Sequence, residues 1–143
     1  MDFFKAIQIS AAGLGAEKTR VEVAAANLAH MNSSSPPGTP GYRPVTAVIR
    51  SVPAAFSDVL AANGQPLMLA NAEIVAQPGS GVRTTYDPGH PHADAKGMVT
   101  YPAIDHTQEM MTIVTALRSY EANMTALQVS KTLASKALDI GAQ

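Results

Sequence analysis

The sequence predicts an α+β fold: two long terminal helices forming a coiled-coil layer, with a small β-rich middle domain between them. Three observations predict it. Residues 105–140 contain neither proline nor glycine and repeat apolar residues at spacings of three and four. Residues 2–30 repeat that spacing and contain no proline. All ten prolines lie between Pro36 and Pro102, where helices are hard to continue. The expected segments are an N-terminal coiled-coil helix over 1–32, a Pro/Ser/Gly-rich connector over 33–44, a β-rich middle domain over 45–104 and a C-terminal coiled-coil helix over 105–143.

The C-terminal helix carries its apolar seam on Met110, Ile113, Leu117, Tyr120, Met124, Leu127, Ala134 and Leu138, with Lys131 at the interrupted position. Asp105 is placed to cap its first turn, and Gln108 stands where a capping box wants Glu or Gln. Gly141 follows the last periodic residue, where a helix stop belongs. A rod of roughly 50 Å results at 1.5 Å per residue. That is long for 143 residues, so the helix needs a partner along most of its length.

The N-terminal helix places Phe4, Ile7, Ala11, Leu14, Val21, Ala25 and Leu28 on the same alternation, with Lys18 in the remaining slot. Gly13 and Gly15 each weaken it by about 1 kcal/mol relative to alanine, and they leave a thin surface that a neighbour can approach closely. Two arrangements use these seams: a helical hairpin within one monomer, or a bundle built from several subunits.

Ser33-Ser34-Ser35-Pro36-Pro37-Gly38-Thr39-Pro40-Gly41-Tyr42 ends the first helix and starts no other. Val45–Val52 reads as a strand. Ala72–Gln77 and Gly81–Tyr86 read as a hairpin turning at Gln77-Pro78-Gly79-Ser80, and Met98–Tyr101 as a further short strand. Ala54–Ala62 is either a strand or a helical turn.

Composition excludes several classes of function. The net charge is −1, and residues 33–104 set four Lys/Arg against four Asp/Glu; nucleic-acid binding has no electrostatic footprint. No cysteine is present, which removes disulfides, thiolate metal sites and thiol chemistry. No secretory signal peptide and no membrane span is visible. Aromatic residues make up 5% of the chain and charged residues 15%, so part of the surface is expected to be covered by assembly.

The most site-like stretch is Tyr86-Asp87-Pro88-Gly89-His90-Pro91-His92-Ala93-Asp94, with two histidines and two acids. Such residues ligate zinc-like ions, but Asp-Pro-Gly and His-Pro are turn dipeptides, and the turn reading is preferred: no metal and no cofactor is expected. A small metal-dependent hydrolase over 86–106 is the least favoured reading. No nucleophile elbow or phosphate loop occurs, so neither a catalytic residue nor a small-molecule substrate is expected. His30 and His106 fall at helix ends. Glu17, Glu22, Glu109 and Glu121 are expected on solvated or salt-bridged helix faces.

Three motifs resemble the flagellar basal-body rod proteins, and the proximal rod proteins of the C type in particular. The first is Ile9-Ser10-Ala11-Ala12-Gly13-Leu14 with Val23-Ala24-Ala25-Ala26-Asn27-Leu28-Ala29, followed by Thr39-Pro40-Gly41-Tyr42. The second runs from Tyr86, Asp87, Pro88, Gly89, His90 and Pro91 through Ala93, Asp94, Gly97 and Val99 to Pro102. The third is Glu109-Met110-Met111 and Arg118-Ser119-Tyr120-Glu121-Ala122-Asn123-Met124. Departures are His30-Met31, the apparent insertion at 33–38, and Asp105-His106 at the second helix start. The resemblance implies a structural, non-enzymatic subunit of the basal-body rod. It further implies export through the flagellar type III apparatus without a cleaved signal peptide and helical assembly through the terminal helices. The implied partners are copies of itself, other rod subunits, and membrane-ring and rod-base adaptor proteins. A coiled-coil secretion adaptor is the alternative that the heptads alone would permit.

Overall fold

The computed structural model describes residues 3–54, 67–79 and 81–141. The element order is α1 (Phe3–His30), β1 (Val45–Pro53), β2 (Met68–Ala76), β3 (Val82–Tyr86), β4 (Met98–Pro102) and α2 (His106–Gly141). The fold is α+β, as expected. The remainder of the Ala54–Ala62 run beyond Ala54 lies outside the described residues.

Both helices begin and end close to where the sequence places them. Asp105 caps α2: its Oδ1 accepts the backbone N–H groups of Thr107 at 2.9 Å and Gln108 at 3.3 Å. Gly141 is the last helical residue rather than the first beyond the helix. At 28 and 36 residues, the helices are about 42 and 54 Å long at 1.5 Å per residue.

The helices pack against each other antiparallel. Gly13 abuts Asn123, and Asn27 is hydrogen-bonded to Glu109. Moving from the first contact to the second advances α1 and retreats α2 by the same two heptads. In this register Phe3 falls level with Leu133, and the last turns of α2 project beyond α1. Leu138 and Ile140 are accordingly 75% and 78% exposed.

The strand pairing corrects the sequence reading. β2 does not form a hairpin with β3. Instead β1 pairs with β2, from Val45↔Ala76 to Pro53↔Met68, and β3 pairs with β4, from Val82↔Pro102 to Tyr86↔Met98, both antiparallel. Two separate two-stranded sheets result among the described residues. The longer register explains the choice: β2 begins at Met68, earlier than expected, and matches β1 along its whole length. The Gln77 N–H then donates to Pro44 O at 3.0 Å, closing the ladder just before the 77–80 turn. The β1–β2 hairpin leans on α1.

Among the described residues the buried apolar side chains are few and small. They are Ala16, Val23 and Ala24 on α1, Ala116 on α2, Ala54, Val99 and Pro102 on β4, and Pro44 just before β1. Alanine dominates because the helices approach closely, not because a thick core exists.

A polar junction beside two open helix faces

Asn27 is the point where four segments meet. It is 1% exposed, and its amide uses its full hydrogen-bonding capacity. Nδ2 donates to Val45 O at 2.8 Å and to Glu109 Oε1 at 3.1 Å. Oδ1 accepts the Tyr42 hydroxyl at 2.9 Å and the Val45 N–H at 3.2 Å. One side chain thus ties α1 to the connector, the start of β1 and the first turn of α2. His30, one helical turn on, stacks on the Tyr42 ring with centroids 4.4 Å apart. Asn27 and Tyr42 belong to the same sequence motif, and the fold brings them into contact across the connector.

Glu109 corrects a second expectation. It is 8% exposed and has no ion pair among the described residues, so it is neither solvated nor salt-bridged. Glu17, also 8% exposed, is salt-bridged as the sequence allows, paired with Arg20 at 2.9 Å. Glu109 has the Asn27 amide. Burial is the main cause that holds its carboxyl above the usual carboxylate range; the Asn27 hydrogen bond opposes this, and the neighbouring Asp105 charge adds to it. Burial and the nearby Glu109 likewise raise the Tyr42 hydroxyl. The sequence offered one signal for these acids. Ser10, Gly13, Glu17, Ala24 and Asn27 on α1, and Glu109, Thr112, Ala116, Ser119 and Asn123 on α2, themselves follow a three-four alternation of small and polar residues. These are the stripes along which the two helices meet or come near each other.

The apolar seams lie one residue later on both helices, which is about 100° around each axis. On α1, Ala11 and Ala25 are exposed and Phe4 is 69% exposed, while Ile7, Leu14, Val21 and Leu28 are half-buried. On α2, Met110 and Leu117 are 43% and 45% exposed, and Ile113, Tyr120, Met124, Leu127 and Ala134 are half-buried. A hairpin does form within the chain, but it leaves much of these apolar stripes facing outward. Of the two thin positions, Gly13 meets the Asn123 side chain, whereas Gly15 faces open space.

The Tyr86–Gly97 stretch folds into successive turns. The Asp87 N–H donates to Gly97 O, His90 N–H to Asp87 O, Ala93 N–H to His90 O and Gly97 N–H to Asp94 O. Asp94 Oδ1 accepts the N–H groups of Lys96 at 2.8 Å and Met98 at 2.9 Å. Gly97 adopts φ +74°, and a Cβ there would lie 3.0 Å from the Tyr86 ring. His90 Nδ1 accepts the His92 N–H, and His92 Nδ1 shares a 2.8 Å hydrogen bond with Ser34 of the connector. Among the described residues, no three His, Asp or Glu side chains gather to hold a metal ion, and no helix is long and apolar enough to cross a membrane. Of the third motif, Arg118 and Ala122 are exposed, while Ser119, Tyr120 and Asn123 are half-buried. Ala29, Gly41, Pro88, Gly89 and Pro91 are also exposed.

Comparison with known proteins agrees with the motifs. Residues 95–140 match the family described as flagellar basal body rod FlgEFG protein C-terminal. The flagellar basal-body rod protein FlgC of Bacillus subtilis is 34% identical over 151 aligned positions covering 99% of each chain. FlgC of Aquifex aeolicus is 35% identical over 92% of this chain and 91% of its own. FlgC of Salmonella typhimurium is 33% identical over 99% of both. With whole-length similarity of this kind, and with Asn27, Tyr42, Gly97 and Asn123 all at structural contacts, the chain belongs to the FlgC family of flagellar basal-body rod proteins.

Proposed function

We propose that this structural subunit of the flagellar proximal rod joins its neighbours through the two outward apolar stripes, from Phe4 to Leu28 on α1 and from Met110 to Leu138 on α2. The observation that carries the reading is the offset between stripes. Small and polar residues make the contact within the chain, and the apolar heptads stand beside it with large side chains exposed. Burying such a stripe contributes about 25 cal/mol per Å² of apolar surface, which a lone hairpin with a mostly alanine core forgoes. Copies of the chain and other rod subunits then supply coiled-coil partners, and the helical stack so formed transmits torque. Export through the flagellar type III apparatus without a cleaved signal peptide, and docking to membrane-ring and rod-base adaptors, complete the reading. The turn-rich Tyr86–Gly97 unit has a structural role in it, not a catalytic one.

In-situ cross-linking of purified basal bodies tests this. Lys18, Lys131 and Lys136 are expected to link to other rod subunits or to other copies of this chain. Cross-links confined to a cytoplasmic partner, with none inside the basal body, would overturn it in favour of a secretion adaptor.

A further inference from the structure

We propose that the junction of Asn27 and Glu109 is an acid-strengthened latch, in which a neutral Glu109 fastens the start of β1 to the helix pair and an ionised Glu109 loosens it. The geometry supplies the reason. Glu109 lies at the meeting of α1, α2, the connector and β1, and is 8% exposed. Its side chain receives one hydrogen bond, from Asn27 Nδ2, and no Lys, Arg or His among the described residues is ion-paired with it. A carboxylate largely removed from water without a cation is costly, and most of that cost is relieved when the group is protonated.

The Asn27 hydrogen bond by itself favours the ionised form, but burial outweighs it, and the nearest like charge adds to burial. From the cap of α2, Asp105 adds a like charge, and from the connector, Tyr42 offers a hydroxyl that is already donated to Asn27. From α1, Arg20 lines the same small crevice but is engaged by Glu17 at 2.9 Å. β1 and the residue that follows β2 contribute Val45, Thr46, Ala47 and Gln77 there, none of which titrates. His30 acts one step away, through its stack on Tyr42.

The sign follows from linkage. The folded Glu109 carboxyl sits above its ordinary value of 4.5. Its stabilising contribution is therefore fully present below that value and is lost as pH rises through the higher folded value. Because Asn27 Oδ1 also holds the Val45 N–H, that amide reports the latch directly.

Hydrogen exchange of the full chain, followed by NMR from pH 4 to 8 and corrected for intrinsic exchange, tests the proposal. Val45 protection is expected to fall several-fold as pH rises, while amides beside the Gly13–Asn123 contact change little. Glu109→Gln, which keeps an acceptor for Asn27, is expected to hold Val45 near its acid-pH protection throughout. His30→Asn is expected to retain the wild-type slope. A flat wild-type profile, a slope that survives in Glu109→Gln, or one that disappears in His30→Asn would overturn it.

Discussion

Asn123 lies so close to Gly13 that a Cβ on the glycine would stand 2.8 Å from its Nδ2 and 2.9 Å from its Cγ. All three atoms met belong to the Asn123 amide, so the whole head of that side chain must shift to clear a Cβ. Alanine at position 13 gains about 1 kcal/mol of helix propensity, but overpacking at such a contact costs about 1–3 kcal/mol. Gly13→Ala is expected to lower stability by about 1 kcal/mol, and to raise it by about the same amount in an Asn123→Ala background. A double-mutant cycle by urea unfolding reads the coupling; additive effects would show that the two residues do not touch in solution.

Ala116 and Leu117 are neighbours in sequence with opposite surroundings. Ala116 is 0% exposed at the helix contact, and Leu117 is 45% exposed on the apolar stripe. Ala116→Leu is expected to destabilise the isolated chain by about 1–3 kcal/mol through overpacking. Leu117→Asp should change that stability by less than about 1 kcal/mol, yet prevent incorporation into basal bodies and abolish swimming. Thermal melts by circular dichroism and a soft-agar assay separate the two. A Leu117→Asp strain that swims would remove the α2 stripe from the assembly interface.

Asn27 satisfies groups on three other segments at once. Asn27→Ala leaves the Val45 N–H and C=O, the Tyr42 hydroxyl and Glu109 without this partner, and is expected to cost about 2–4 kcal/mol. Asn27→Asp removes the donor that faces Glu109 and sets two carboxyls side by side. That variant should be weaker than Asn27→Ala at pH 7 and should recover at pH 4, where the two acids share protons. Urea midpoints at both pH values decide this; an Asp variant as stable as wild type at pH 7 would refute the geometry.

The long helices and the middle strands were legible because periodicity and proline placement are local signals. Asp105 as a cap was equally local. The side of each helix that meets its partner was not. Hydrophobicity pointed to Leu14 and Leu117, whereas close approach selected Gly13 and Ala116, one residue earlier. Glu109 shows why: an acid reads as solvated until the amide that donates to it, 82 positions away in sequence, is brought beside it. The β2–β3 hairpin failed for a related reason. A proline-glycine turn marks a change of direction, but not which strands pair across it. Family motifs carried what periodicity could not, since Asn27, Tyr42, Gly97 and Asn123 each sit at a contact that a substitution would disturb.

Asp94 titrates in the opposite sense to Glu109. The Met98 and then the Lys96 N–H hydrogen bonds hold its carboxyl below the ordinary 3.8. A depressed group contributes stability that is present above its unfolded value and lost as pH falls through the folded one. The Asp94–Met98 turn is therefore expected to loosen below about pH 4, just where the Glu109 junction is tightest. Amide shifts of Lys96 and Met98 should move toward unstructured values over that range in the wild type. In Asp94→Asn, whose carbonyl oxygen can still accept both N–H groups but does not titrate, they should stay constant with pH. Identical titration of those amides in both proteins would mean that the turn is ordered by its backbone hydrogen bonds and Gly97 alone, with the Asp94 charge contributing nothing.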